Sequence, residues 1–234
     1  MGPSSILVIL LALALFVPCP ASSDSASVNN WETLARQYVL ADQKLLELEE
    51  KKLEGIPRQI DLRDELRASL VKVASPTVDR LKLLIGSSDP LERKTALVAF
   101  FVNKLTSPDI VALFLSRYDK EDDFFIRFYI HQGLMNLSDD QLRTMQADVS
   151  RIITAEKYET LQITSLPTLL RLERDVTMPI LVGYFKKGSP WLKKAAYASL
   201  RSNGKSDYIK KVKATLKTDK ATSAIEFLNG LEKD

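Results

Sequence analysis

The sequence has 234 residues, of which 45% are hydrophobic and 27% charged, with a formal net charge of +3. Enough apolar side chains are present to form a core, which excludes a wholly disordered chain. Glycine is scarce, with 8 residues, whereas Leu, Ala, Lys and Glu are plentiful. This balance favours helices joined by short turns over strands, so we expect an all-α protein.

Residues 1–23 have the pattern of a signal peptide. An unbroken apolar run of 12 residues extends from Ile6 to Val17, and small or helix-breaking residues follow it. A membrane-spanning helix needs about 20 apolar residues, so the run favours a cleaved signal over an uncleaved anchor. Small residues place the cleavage after Ala21 or Ser23. The sequence therefore predicts an exported protein, periplasmic or secreted.

The only cysteine of the chain, Cys19, lies inside this segment. It could carry the lipid of a bacterial lipoprotein or leave with the signal. Lipoprotein signals place a small residue directly before the cysteine, and Pro18 stands there, which favours removal with the signal. The mature chain then has no thiol, so packed helices rather than disulfides must stabilise it.

Residues 24–54 are expected to contain one long helix, from Trp31 to Glu54, that ends before Gly55. Its apolar side chains recur at heptad a and d positions: Trp31, Leu34, Tyr38, Ala41, Leu45 and Leu48. Such a seam fits either a helix that caps the following domain or a short coiled-coil dimer. Fewer than four heptads are present, which favours the cap.

From residue 55 onwards, similar segments recur about every 33 residues. Four begin alike, at intervals of 33, 34 and 33 residues: Asp89-Pro90, Asp122-Asp123, Glu156-Lys157 and Ser189-Pro190. Asp and Ser cap the free amides of a first turn, and Pro suits the first helical position, so these are predicted helix starts. Second helices are expected at Ser75-Pro76-Thr77, Ser107-Pro108-Asp109, Ser138-Asp139-Asp140, Val176-Thr177 and Ser206-Asp207. Residues 55–234 are thus predicted to form about five helical hairpins.

The opening Asp89-Pro90, followed by Arg93 and Ala96-Leu97, resembles that of HEAT-like repeats, and Ser189-Pro190 resembles it in part. The resemblance implies a right-handed α–α superhelix, a solenoid of hairpins that buries a continuous core and usually serves as a binding scaffold. A tetratricopeptide repeat has a similar period and an opening like that at Trp31. The small and aromatic residues that this repeat requires in its second helix would, however, fall on Glu47 and Lys51, so the rest of the pattern is not met.

Few residues suit catalysis or metal binding. His131 is the only histidine and has no cysteine partner in the mature chain, so the usual zinc ligand sets are not available. The acidic run that contains Glu121 lacks the glycine and the alternating spacing of a calcium loop, and capping of a helix explains it better. We therefore expect no catalytic, metal or cofactor-binding residues. Asn136-Leu137-Ser138 is a glycosylation sequon, relevant only in a eukaryotic source.

Charge is distributed unevenly along the chain. Residues 186–220 contain eleven Lys and Arg against two acidic residues, a local charge of +9, whereas residues 24–185 carry a local charge of −4. The predicted binding patch consists of Lys193, Lys194, Lys205, Lys210, Lys211, Lys213 and Lys217 with Trp191 and Tyr208. Such a patch suits anionic lipids, acidic polymers or an acidic protein. The alternative is a solvated end face whose lysines maintain solubility.

Together these features predict an exported, non-catalytic scaffold that binds a protein or peptide through a solenoid surface. The second hypothesis is a peripheral binder of an anionic envelope surface that acts through the basic last repeat. A hydrolase with an unfamiliar site is a third possibility, which a polar pocket around His131 would support. Nucleic acid is not an expected partner after export.

Overall fold

The computed structural model describes residues 28–52 and 54–232, and every regular element in these ranges is a helix. The predicted all-α class is therefore confirmed for this part of the chain. The predicted signal peptide and Cys19 lie outside it. Contacts divide the chain into two compact units, Met1–Asn136 and Leu137–Asp234.

Each unit is a succession of helices joined by short connections. The described helices of the N-terminal unit are α1 (Val28–Lys51), α2 (Ile56–Leu70), α3 (Val78–Gly86), α4 (Pro90–Phe101), α5 (Pro108–Tyr118) and α6 (Phe124–Leu134). Those of the C-terminal unit are α7 (Asp139–Thr144), α8 (Gln146–Ala155), α9 (Glu159–Thr164), α10 (Leu166–Leu169), α11 (Arg174–Lys187), α12 (Pro190–Ser202), α13 (Ser206–Thr218) and α14 (Thr222–Leu231).

Two of the four predicted first helices begin at the predicted capping residue followed by proline. The Asp89 side chain accepts a hydrogen bond from the Leu91 amide at 2.9 Å, and Pro90 is the first residue of α4. Ser189 accepts hydrogen bonds from two amides in the first turn of α12, which begins with Pro190. Proline fits there because that position has no intrahelical amide partner to lose. Both predicted starts are confirmed.

Of the two middle starts, Asp122-Asp123 is confirmed and Glu156-Lys157 is not. The N-cap of α6 is Asp123, whose Oδ1 atom accepts two backbone hydrogen bonds at 2.9 and 3.2 Å. The start predicted at Glu156 is wrong, because α9 begins only at Glu159. The Glu156 carboxylate accepts a hydrogen bond from the Tyr158 amide at 2.7 Å and so orders the turn before the helix.

Four of the five predicted second helices begin at their capping segments, namely α3, α5, α7 and α13. At α7, Ser138 and Gln141 form a reciprocal capping box, which satisfies two otherwise free amides. The fifth, α11, begins at Arg174, two residues before the predicted Val176-Thr177. Most of the predicted second-helix starts are therefore correct, and a side-chain cap is formed at two of them, α3 and α7.

The long helix α1 buries its predicted seam against α2 and α4. The buried seam residues are Trp31, Tyr38, Ala41, Leu45 and Leu48, while Leu34 is half-buried. Ala35 and Val39 are buried as well, so the apolar face is wider than a two-stranded coiled-coil seam. The Trp31 indole donates to the Asn103 side chain at 3.0 Å, and the Asn103 amide donates to the Leu70 carbonyl at 3.0 Å. These bonds tie α1 to the C-terminal ends of α2 and α4.

Helix α4 is the centre of the N-terminal unit, because it contacts α1, α3, α5 and α6 and is buried from Arg93 to Phe101. Helix α6 can lie close to it because Gly133 has no side chain. A Cβ atom at Gly133 would lie 2.1–2.5 Å from three ring atoms of Phe100. The Phe100 ring is fully buried and packs against Phe114, with 5.2 Å between the ring centroids.

In the C-terminal unit, α12 contacts α9, α10, α11, α13 and α14. Its inward face carries Leu192, Ala196 and Leu200, and the facing part of the core includes Val212 and Leu216 of α13. Because these residues recur three and four positions apart, the opposite faces of both helices are left to polar side chains.

Candidate binding surface

The residues of the predicted basic patch lie on α12, on α13 and in the turn between them. On α13, the buried residues Tyr208, Ile209, Val212 and Leu216 define the inward face. Lys210 and Lys217 are seven residues apart on the opposite face, and both are exposed, as is Lys211. Lys194 is exposed on α12, whereas Lys193 of the same helix and Lys205 of the turn are half-buried.

Some basic side chains of the unit are neutralised by carboxylates. The Lys213 ammonium forms an ion pair with Glu232 and donates to the Asn229 side chain at 2.9 Å. Lys186 pairs with Asp219 at 2.6 Å. Both partners, Asp219 and Glu232, lie beyond the end of α13, so the sequence of the helix alone does not reveal the pairing. Lys213 therefore belongs to the packing between α13 and α14 rather than to a free basic surface.

Four lysines keep their charge open to solvent, and we call this set the lysine face: Lys194, Lys210, Lys211 and Lys217. None of them lies within 4.0 Å of a carboxylate in the described part of the unit. Arg201 and Lys220, both exposed, add positive charge at the ends of the same two helices. Four lysines of the predicted patch are thus exposed on two helices that contact each other, whereas Lys213 is paired with Glu232.

The aromatic residues of the patch are less accessible than their sequence positions suggest. Tyr208 is only 7% exposed, and the charged ends of Arg174 and Lys205 lie 5.4 and 5.2 Å from its ring centroid. Lys193 lies over the ring of Phe227 on α14, at 5.4 Å, a contact that the sequence analysis missed. Trp191, at the start of α12, is half-buried. It is the aromatic residue of the predicted patch that remains partly open to solvent.

The same sequence motif has a different environment in the N-terminal unit. After Asp89-Pro90, the basic pair Arg93-Lys94 is buried. The Arg93 guanidinium binds both carboxylate oxygens of Glu121, at 2.8 and 3.2 Å, and Lys94 pairs with Asp123 at 2.7 Å. The two acids lie in the connection between α5 and α6. In the C-terminal unit the corresponding connection, between α13 and α14, contains Asp219, but this acid pairs with Lys186 and not with Lys193 or Lys194.

His131 lies in the core of the N-terminal unit, with 1% of its surface exposed. Its Nε2 atom is 3.3 Å from the Tyr118 hydroxyl, and the two rings meet edge to face. The Arg127 guanidinium lies 4.4 Å from the centroid of the Tyr118 ring, and its Nε donates to the Glu121 carbonyl at 2.7 Å. The residues that the sequence singled out as chemically capable thus hold α5 and α6 together.

A second polar cluster, which the sequence analysis missed, joins α1, α2 and α6. The Tyr129 hydroxyl donates to Asp42 at 3.0 Å, and the Arg63 guanidinium lies 3.9 Å from the same carboxylate. Burial raises the pKa of Asp42 above its usual value, although Arg63 and the hydrogen bond from Tyr129 oppose the shift. Burial also raises the pKa of Glu49, which lies two turns further along α1. The sequence does contain a signal for this cluster, because Asp42 and Glu49 are seven residues apart on a mainly apolar face of α1.

The sequon asparagine is engaged in packing. The Asn136 amide donates to the carbonyls of Phe100 and Phe101, at 3.2 and 2.9 Å. These carbonyls belong to the last turn of α4, where helix geometry leaves them without intrahelical partners. Asn136 therefore caps the C-terminal end of the central helix.

No protein-family model matches the chain, and comparison with curated proteins and with solved structures gave no match either. Among the described helices, none combines the length and the apolar character needed to cross a bilayer.

Proposed function

We propose that the protein is an exported, non-catalytic scaffold that binds a protein or peptide partner, and that its helices form a HEAT-like solenoid. The observation that supports this proposal is the order of contacts inside each unit. From α3 to α6, and again from α11 to α14, each helix contacts the next helix and the one after it. Stacked hairpins produce this pattern, because each hairpin covers the apolar stripe of its neighbour.

The long helix α1 is proposed to act as the cap of this array. It covers α4 with a wide apolar face and is anchored by the hydrogen bond from Trp31 to Asn103. A terminal repeat needs a covering element that is polar on its outer side, since an uncovered apolar face would associate with other molecules. The outward side of α1 includes the exposed Gln37, and beside it Arg36 pairs with Glu92 of α4 at 3.0 Å.

A binding role also fits the way in which the chain uses its polar residues. His131 and Glu121 contribute to the core of the N-terminal unit. The surface, in contrast, exposes apolar side chains, and the most exposed large one among the described residues is Leu83 on α3, at 66%. Leu62 on α2 is 44% exposed. Single exposed leucines are common, but a solenoid offers them to a partner along a continuous surface.

Site-specific photo-crosslinking in the native cells tests the proposal. A photoreactive phenylalanine analogue placed at Leu62, Leu83 or Lys210 samples both units without disturbing the core, since all three side chains are exposed. We expect at least one position to give a discrete adduct with a protein, identified by mass spectrometry. The matched control carries the analogue at Asp140, exposed on the short helix α7, where we expect background labelling only. Absence of a protein adduct at all three positions would contradict the scaffold proposal.

A further inference from the structure

We propose that the lysine face of α12 and α13 docks the protein on an anionic lipid surface. This inference goes beyond the scaffold proposal, which concerns a protein or peptide partner. The supporting observation is the positive charge of the lysine face, which no described carboxylate neutralises. The two acidic residues within 186–220 are already used, because Asp219 pairs with Lys186 and Asp207 lies 3.7 Å from Arg174. Neither acid pairs with Lys194, Lys210, Lys211 or Lys217, so positive charge predominates on the lysine face.

A solubilising surface usually mixes both signs, which limits attraction to other molecules. On the outward sides of α12 and α13 the exposed ionic residues are basic apart from Asp207. The contrast with the N-terminal unit supports the same point. There, the chain supplies Glu121 and Asp123 to neutralise Arg93 and Lys94, whereas Lys194 is left exposed.

The chemistry of the face favours lipid over an acidic protein. Protein–protein interfaces are enriched in Arg, Tyr and Trp and depleted in Lys, because the guanidinium fork binds carboxylates in a bidentate manner. The lysine face consists of ammonium groups on flexible stems, and the patch aromatic Tyr208 is buried beneath Arg174 and Lys205. Point charges of this kind suit a diffuse layer of headgroups. Trp191, half-buried at the start of α12, has the amphipathic character that favours a membrane interface.

Co-sedimentation of the purified full chain with vesicles tests the inference. We expect binding to phosphatidylcholine vesicles that contain phosphatidylserine, no binding to phosphatidylcholine alone, and release when the ionic strength rises from about 0.1 M to about 1 M. Each lysine near such a surface contributes about a fivefold change in affinity. The triple variant Lys210→Gln, Lys211→Gln, Lys217→Gln should therefore weaken binding by up to about a hundredfold, in the additive limit.

The matched control removes the same charge from the N-terminal unit. Arg58, Lys72 and Lys120 are exposed, and their replacement by Gln should leave vesicle binding within about twofold of the wild type, because the contact is local. Equal loss in both triple variants would overturn the inference, since net charge alone would then explain binding. So would equal binding to both kinds of vesicle.

A soluble poly-glutamate probe separates the lipid surface from an acidic protein. Binding of poly-glutamate to the full chain without binding to the anionic vesicles would overturn the inference in favour of an acidic protein partner. The lysine-face triple variant should retain any crosslinked adduct formed at Leu83, which lies in the other unit. Loss of vesicle binding with retention of that adduct would support the inference, whereas failure of the adduct in the wild type concerns the scaffold proposal alone.

Discussion

Replacing Gly133 with alanine should destabilise the protein, although alanine normally stabilises a helix relative to glycine by about 0.5–1 kcal/mol. The added Cβ would lie 2.1 Å from Cδ1, 2.3 Å from Cε1 and 2.5 Å from Cγ of Phe100. Because Cγ is close to the backbone of α4, rotation of the ring alone cannot relieve the overlap. The ring also has no free space, since Phe100 is fully buried and packs against Phe114.

Overpacking a buried site typically costs about 1–3 kcal/mol, and an overlap with three ring atoms belongs at the upper end of that range. After subtraction of the helix-propensity gain, we expect Gly133→Ala to lower the free energy of unfolding by about 2 kcal/mol. Urea denaturation followed by circular dichroism measures this change. Gly183 in α11 is the matched control, because a Cβ there meets nothing within 4 Å. Gly183→Ala should therefore stabilise the protein by about 0.5–1 kcal/mol.

A double-mutant cycle isolates the contact itself. Phe100→Leu replaces the ring with a smaller side chain, so it should be less damaging in the Gly133→Ala background than in the wild type, with an interaction energy of about 1 kcal/mol or more. Equal stabilisation by Gly133→Ala and Gly183→Ala, or strict additivity in the cycle, would refute the reasoning that the glycine permits the close approach of α6 to α4.

Three further predictions concern charge and backbone in the described chain. Glu121→Gln leaves the Arg93 guanidinium buried without its counter-charge, so urea denaturation should show the free energy of unfolding lowered by about 3–5 kcal/mol. The control, Asp140→Asn at an exposed ion pair, should lower it by at most about 0.5 kcal/mol, and similar losses in both variants would contradict the prediction. Because burial raises the pKa of Asp42, this carboxyl keeps its proton in the folded chain over a pH range in which the unfolded chain has released it. The contribution of Asp42 to the free energy of unfolding therefore falls as the pH rises above about 4. The stability of Asp42→Asn minus that of the wild type should therefore increase between about pH 4 and pH 7, and a constant difference would show that this carboxyl is not perturbed. Lys104 has a left-handed φ of 56° just after the end of α4, a backbone conformation that glycine adopts at a lower energetic cost. Lys104→Gly should therefore stabilise the protein by about 1 kcal/mol. A thermal scan should show a higher melting temperature, and an unchanged or lower one would contradict the prediction.

Helix starts could be predicted where the signal is local. Asp89-Pro90 and Ser189-Pro190 place both a hydrogen-bond acceptor and a residue without an amide at the first turn, and the structure uses both. Glu156 misled the prediction because a longer carboxylate side chain can order a turn without starting a helix. Pro167 carries a local signal that the sequence analysis did not use. It has no amide for the Ile163 carbonyl, which accounts for the break between α9 and α10.

The binding surface could be predicted only in part, because neutralisation of a charge depends on residues distant in sequence. Lys210 and Lys213 look alike along α13, yet Lys213 finds Glu232 after the chain has turned back through α14. The same holds for Lys193, whose contact with Phe227 requires the packing of α12 on α14. Helical spacing identifies the face of a helix, whereas the identity of the facing helix is a tertiary property.

The role of Asn136 as a cap places a constraint on glycosylation. Attachment of a sugar replaces one of the two amide hydrogens that the side chain donates to the end of α4, and it requires the amide to leave its half-buried position. In any secretory pathway that carries the transferase for this sequon, transfer must therefore precede closure of the N-terminal unit. A chain that carries a glycan on Asn136 would then lose at least one of the two hydrogen bonds that cap α4.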